Sequence, residues 1–191
     1  MTRNLQLMIK PASGRCNINC SYCFYNETVC NREISGYGIM KEDVIKKIIR
    51  EAADFCGNGT CSMGFQGGEP MLAGIDFYKN ILKYIKDERI ETNLIFTLQT
   101  NGILIDEEWA EFFRDNNFLT GISLDGTEDI HNRNRKGKNG LGTFHEVIKS
   151  IDTLKKYNAD FNILTVVTKE LAENIEKVYE FYKRNDFHYL Q

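Results

Sequence analysis

Proline occurs only twice in this 191-residue chain, and its fifteen glycines are scattered without a period. That excludes collagen-like and proline-rich extended architectures. Basic residues are outnumbered, 24 Lys and Arg against 27 Asp and Glu, so the net charge of -3 supplies no strongly basic face for nucleic acid. The one local basic run, 131–138, reads mostly as a solvated loop. Long hydrophobic runs are also missing. Residues 1–10 are short and carry Arg3 and Lys10, which fits neither a secretory signal nor a spanning helix. A cytoplasmic protein, with no membrane and no nucleic-acid partner, is the expectation. Histidine appears three times, at His131, His145 and His188, each far in sequence from the cysteine-rich N-terminal segment.

Hydrophobic residues make up 42% of the chain and charged residues 27%, enough apolar surface for one folded domain spanning 1–191. Short β-branched and aromatic runs alternate with longer stretches of helical periodicity. The pattern predicts strands at 5–9, 62–66, 94–100, 119–124 and 161–167, with 187–190 opening a sixth. Between them it predicts helices at 41–55, 76–86, from Asp106 as N-cap, from a Thr143–Glu146 capping box, and at 172–184. Val44, Ile45, Ile48, Ile49 and Ala52 mark the buried face of the first helix, and Ile175, Val178, Tyr179 and Tyr182 that of the last. Strict alternation favours a parallel sheet with right-handed crossovers. The expected fold class is α/β, a partial (β/α)6 TIM-like barrel truncated at the sixth strand, with an open doubly wound sheet as the alternative.

Six cysteines in a chain with no export signal point to reduced thiols and metal binding. Cys16, Cys20 and Cys23 fall in one loop directly after the first strand, at the strand end where β/α barrels keep their chemistry. Three thiolates from one loop hold three corners of an iron-sulfur cubane and leave the fourth iron open to a small-molecule ligand. A structural zinc site would need a fourth ligand, and no histidine lies near the loop. Cys30, Cys56 and Cys61 are isolated and read as ordinary free thiols.

Further polar motifs end the later strands. Gln66-Gly67-Gly68-Glu69-Pro70 follows the second, with paired glycines that let backbone approach a ligand closely. Gln99-Thr100-Asn101-Gly102 closes the third and Ser123-Leu124-Asp125-Gly126 the fourth. With the C-x3-C-x2-C spacing and Tyr22 before the last cysteine, these motifs resemble the radical S-adenosylmethionine superfamily. The resemblance implies a [4Fe-4S] cluster on Cys16, Cys20 and Cys23, and S-adenosylmethionine cleaved by one electron to a 5'-deoxyadenosyl radical. It also implies cofactor contacts from Tyr22, Gly67, Gly68, Glu69 and Ser123. Arg135 would pair with the cofactor carboxylate through its planar fork of donors.

Ile9-Lys10-Pro11-Ala12-Ser13, Cys23-Phe24-Tyr25 and the ordered strand-end motifs narrow the resemblance to anaerobic sulfatase-maturating enzymes. That similarity implies oxidation of a sulfatase cysteine or serine to Cα-formylglycine, with Tyr25, Gln66 and Gln99 facing the substrate peptide. It implies a one-electron reductant such as flavodoxin or ferredoxin as a second partner. Members of that family continue into a cysteine-rich SPASM region with auxiliary clusters and a general base. The expectation is therefore a radical S-adenosylmethionine core without that region, its catalytic base unidentified. Modification of another ribosomal peptide, or an incomplete cluster-binding module, are the alternatives.

Overall fold

The computed structural model describes residues 2–25, 31–34 and 36–191. Its main sheet has five parallel strands, β1 (Leu5–Ile9), β3 (Thr60–Phe65), β4 (Asn93–Thr100), β5 (Leu119–Ser123) and β7 (Phe161–Leu164), hydrogen-bonded in that order. Sequential order decides between the two architectures left open by the pattern. In a doubly wound sheet the order reverses at a switch point; here every crossover steps one strand in the same direction, so right-handed connections stack the helices on one face. The other face is the inner wall of a partial barrel.

Strand alternation assigns the two faces. In β3, Cys61, Met63 and Phe65 are buried under the helices, while Ser62 and Gly64 turn to the concave side. The helical layer comprises α1 (Glu42–Cys56), α2 (Ile75–Asp87), α3 (Glu107–Asp115), α4 (Glu128–Asn134), α5 (Phe144–Tyr157), α6 (Lys169–Glu173) and α7 (Ile175–Arg184). Between sheet and helices Phe65, Tyr78, Phe96, Trp109, Phe112, Phe113 and Phe118 form a continuous aromatic layer. Complete burial of an aromatic side chain removes about 150–250 Å² from water, so this layer dominates the hydrophobic stabilisation.

Most element boundaries agree with the periodicity to within two residues, and Asp106 caps α3 by accepting from the Trp109 N–H at 3.0 Å. Several expectations fail for physical reasons. Thr143 precedes α5 but makes no side-chain cap, because its hydroxyl is engaged by Arg135 and His131 instead. The expected helix at 172–184 is two helices broken at Asn174, and Ile175 and Tyr179 are exposed while Val178 and Tyr182 are buried. Val44 is likewise exposed. The fifth strand ends at Leu164, since Thr165 turns its hydroxyl back to the Leu124 carbonyl.

Among the described residues the sixth strand exists only as an isolated bridge between Ile163 and Leu190, in which the Ile163 N–H donates to the Tyr189 carbonyl at 2.8 Å and the Gln191 N–H to the Ile163 carbonyl at 2.9 Å. A two-stranded antiparallel ribbon was not expected: β2 (Ile18–Cys20) inside the cysteine loop pairs with β6 (Arg135–Gly137). The basic run is thus partly ordered wall, not all solvated loop. Among the described residues, no helix is long and apolar enough to cross a membrane. Cys56 and Cys61 are free and buried, as ordinary core thiols; Cys30 lies outside the described residues.

Candidate functional site

Ribbon and strand ends enclose a cavity of about 260 Å³ at the C-terminal mouth of the sheet. Cys16, Cys20 and Cys23 line it, together with Tyr22, Tyr25, Gln66, Gly67, Gly68, Gln99, Ser123 and Arg135. Of the site residues expected from sequence, only Glu69 is not among its lining residues. Ribbon alternation explains the arrangement: Cys20 and Arg135 are directly opposed and turn inward, while Asn19 and Lys136 turn outward.

The cysteine loop is fastened from two sides. On one, Gly68 adopts φ 59°, and a Cβ there would collide with the carbonyl of Arg15, so only glycine lets the two loops touch. The same carbonyl accepts from the Glu69 N–H at 2.7 Å. Asn101 reaches across from the end of β4, its amide donating to Asn17 Oδ1 at 2.7 Å and lying 3.7 Å from the Cys16 sulfur.

On the other side stands Asp125, fully buried at the end of β5. It accepts from Tyr22 Oη, from Arg135 Nε at 2.9 Å and Nη2 at 3.3 Å, and from the Val166 N–H at 3.1 Å. One carboxylate therefore ties together the cysteine loop, the ribbon and the segment after β7. Burial works against the Arg135 charge, but Asp125 outweighs it and holds the guanidinium pKa above its ordinary value. One guanidinium edge, carrying Nε and Nη2, faces Asp125, which leaves Nη1 directed toward Cys20 at 4.0 Å. Burial, reinforced by Asp125, also pushes the Tyr22 phenol well up, so it remains a donor.

Behind this pair, the Asp125 N–H donates to His131 Nδ1 at 3.3 Å, and His131 Nε2 meets Thr143 Oγ1 at 3.1 Å. The Thr143 hydroxyl proton goes to the Arg135 carbonyl at 3.1 Å. The network thereby assigns a neutral imidazole protonated on Nε2. Burial, with Arg135 beside it, lowers the His131 pKa to about 4.

Glu69 is positioned beneath the mouth, 1% exposed. Its carboxylate accepts from the Met71 N–H at 3.0 Å, the Thr100 hydroxyl at 2.8 Å and the Asn101 N–H at 2.8 Å. Burial raises its pKa to about 7 against the pull of these three donors. Its present contacts fasten β3 to β4 and cap the short 3-10 turn Pro70–Ala73.

The donor chemistry tests which group the cavity fits. Three thiols face it, and among the described lining residues there is no carboxylate and no imidazole. Such a soft, sulfur-only set disfavours calcium and magnesium and suits iron-sulfur chemistry. The thiols share one cavity without converging on a single point, and among the described residues no three Cys, His, Asp or Glu side chains could hold one metal ion. A multi-iron cluster accommodates that spread. Burial raises the Cys16 thiol pKa, and raises that of Cys20 to about 11 despite Arg135. Ser123, Arg135 and the Gly67–Gly68 backbone supply polar groups at the same mouth as the three sulfurs.

Tyr25 packs under the Lys10 ammonium, 4.4 Å from its ring centroid. Gln66 and Gln99 line both this cavity and a second hollow of about 240 Å³ on the concave sheet face, with Gln6, Thr97 and Asn162. The mouth is thus continuous with a polar barrel interior. Asn101, Asp125 and His131 belong to motifs visible in the sequence, but nothing in their spacing assigned them roles. The signal available was their placement beside Gln99, Ser123 and Arg135.

Comparison with known proteins agrees with this geometry. A cysteine-type anaerobic sulfatase-maturating enzyme of Clostridium novyi is 44% identical over 190 residues, 99% of this chain and 50% of the relative. A serine-type enzyme of that description from Bacteroides thetaiotaomicron is 34% identical over 98% of this chain and 45% of the relative. The solved structure of native anSMEcpe with bound AdoMet and Cp18Cys peptide superposes with a TM-score of 0.91 at 42% identity, covering 99% of this chain and 50% of that one. The chain thus spans about half the length of the curated relatives it matches. The profile described as Radical SAM superfamily matches residues 11–182. Cavity, sulfur donors and strand-end motifs accordingly have one common explanation, that the chain belongs to the radical SAM superfamily.

Proposed function

We propose that this chain is the cluster-bearing half of an anaerobic sulfatase-maturating enzyme, acting on a cysteine or serine of a sulfatase-like peptide to give Cα-formylglycine. The single observation that carries the reading is the continuity of the cavity holding Cys16, Cys20 and Cys23 with the polar face bearing Gln66 and Gln99. Similarity to relatives that carry this description supports it.

When bound, the cluster supplies the electron that cleaves S-adenosylmethionine and so generates the hydrogen-abstracting 5'-deoxyadenosyl radical. The residues of the chain orient and shield. Arg135, its guanidinium plane fixed by Asp125, presents its remaining edge to a carboxylate at the mouth. Ser123 offers a hydroxyl from the neighbouring strand end. Glycine at 67 and 68 lets backbone carbonyls approach the ligand, while Glu69 braces them from below. Tyr25, Gln66 and Gln99 then line the route along which a peptide side chain would approach.

The test is anaerobic incubation of the reconstituted chain with S-adenosylmethionine, dithionite and a peptide carrying the sulfatase cysteine motif. Release of 5'-deoxyadenosine, with replacement of the thiol sulfur by oxygen and loss of two hydrogens in the peptide, is expected by mass spectrometry. Absence of 5'-deoxyadenosine would contradict the radical reading. Its release alongside a different peptide modification would contradict the sulfatase assignment alone.

A further inference from the structure

Asn101 follows β4 directly and lines the cavity beside Cys16, only 7% exposed. Its backbone and its side chain are held separately. The main-chain N–H donates to Glu69 Oε2 at 2.8 Å, and the side-chain Oδ1 accepts from the Ile103 N–H at 3.1 Å in a local turn. With the oxygen committed to Ile103, the amide orientation is settled and Nδ2 faces the cysteine loop.

A primary amide nitrogen has two hydrogens to place. One goes to Asn17 Oδ1 at 2.7 Å, and the other finds Cys16 Sγ at 3.7 Å, the longer distance reflecting the larger radius of sulfur. As a thiol, Cys16 is itself a weak donor, and its sulfur lies 3.9 Å from Asn17 Oδ1. Once deprotonated to bind iron, that sulfur can only accept, and the Nδ2 hydrogen is the donor placed for it. An N–H dipole beside a charge acts more strongly in such a water-poor setting than in bulk solvent. Arg135 also points Nη1 at a sulfur, that of Cys20 at 4.0 Å, but a carboxylate at the mouth competes for the same edge. Both Asn101 hydrogens are already placed.

Resting on the assignment of Cys16 to the cluster, we propose that Asn101 sets the reduction potential of that cluster by donating an N–H···S hydrogen bond to the Cys16 thiolate. Reduction moves one electron from an external one-electron reductant onto the cluster, with no proton or atom transferred. The sulfurs become more negative and the bond strengthens. The donor therefore favours the reduced state, and its removal lowers the potential. Fastening the loop is a separate task, carried by the hydrogen that Asn17 accepts.

Potentiometric titration of the anaerobically reconstituted chain without S-adenosylmethionine, followed by electron paramagnetic resonance, reads the midpoint with no turnover. In Asn101→Ala the reduction equilibrium should move on the order of ten-fold toward the oxidised cluster, about 59 mV downward for one electron. Asn101→Asp keeps an acceptor for Ile103 but turns an oxygen toward the sulfur, and should move it further down. Asn17→Ala cuts the loop tie while leaving Nδ2 on Cys16, and should stay at the wild-type midpoint. An unchanged midpoint in iron-loaded Asn101→Ala would overturn the proposal, as would an equal fall in Asn17→Ala, which would reduce Asn101 to a loop tie. Where a variant fails to load iron, the wild type decides. With asparagine isotopically labelled in its side-chain nitrogen, pulsed electron paramagnetic resonance should show that nitrogen coupled to the reduced cluster, and absence of the coupling would overturn the proposal. A wild-type chain that takes up no iron would instead contradict the cluster site.

Discussion

The aromatic layer under the helices and the polar mouth above the strands occupy opposite ends of the energetic scale. In the layer, Phe65, Tyr78, Trp109, Phe113 and Phe118 touch through ring faces and edges, and no single directional bond decides the packing. In the mouth, Asp125 and Glu69 each gather donors from several loops, so position depends on individual hydrogen bonds. The difference teaches that this fold separates what holds it together from what it does. Hydrophobic burial secures the strands, and two buried carboxylates aim the loops that carry the chemistry.

The sharpest way to break the comparison is to cut into the layer. Phe113→Ala removes a fully buried ring and should lower unfolding free energy by about 3–5 kcal/mol. Denaturant titration measures this, while the folded fraction should still bind S-adenosylmethionine as tightly as the wild type. Weakened binding in the folded fraction would show that layer and mouth are not separate.

Protonation gives the next largest effect. His131 is neutral in the folded chain with a pKa lowered to about 4, against 6.5 when unconstrained. Its contribution is thus fully present above pH 6.5 and is lost as pH falls toward 4. A loss of roughly 3 kcal/mol follows over that window. In His131→Gln, unfolding measured across the same window should have a flatter pH dependence.

Asp125→Asn keeps the shape but removes the charge facing Arg135, and should cost about 2 kcal/mol. Its more telling readout is affinity for S-adenosylmethionine, which should fall on the order of ten-fold, because one charge-assisted orienting bond is lost. Iron loading should stay normal. The smallest effect belongs to Tyr22→Phe, which deletes the hydroxyl bonded to Asp125 and should cost about 1 kcal/mol. Faster iron release on exposure to a chelator should accompany it, since the cysteine loop loses one of its ties.

Residues of the layer were legible in sequence because burial repeats at helical and strand periods. Trp109, Phe112 and Phe113 announce their face by spacing alone. The cysteine loop was legible because three thiols within eight residues have few other uses. What the sequence could not display is the set of contacts between residues about a hundred positions apart. Tyr22 meets Asp125, and Cys16 meets Asn101, only after the strands have been ordered. The ribbon was hidden for the same reason: Ile18–Cys20 and Arg135–Gly137 are three residues each, too short for a period of two to stand out. Thr143 shows the converse error, in which a local capping pattern is overridden because a buried network offers its hydroxyl better partners.

The central claim, that Cys16, Cys20 and Cys23 hold a site-open cluster at this mouth, is tested most directly by electron paramagnetic resonance of the anaerobically reconstituted, dithionite-reduced chain. The account predicts about four irons per chain and a cluster signal whose shape changes when S-adenosylmethionine is added. It predicts no such signal in the Cys16→Ala, Cys20→Ala, Cys23→Ala variant. Undiminished iron loading in that variant, or a wild-type signal indifferent to S-adenosylmethionine, would contradict it.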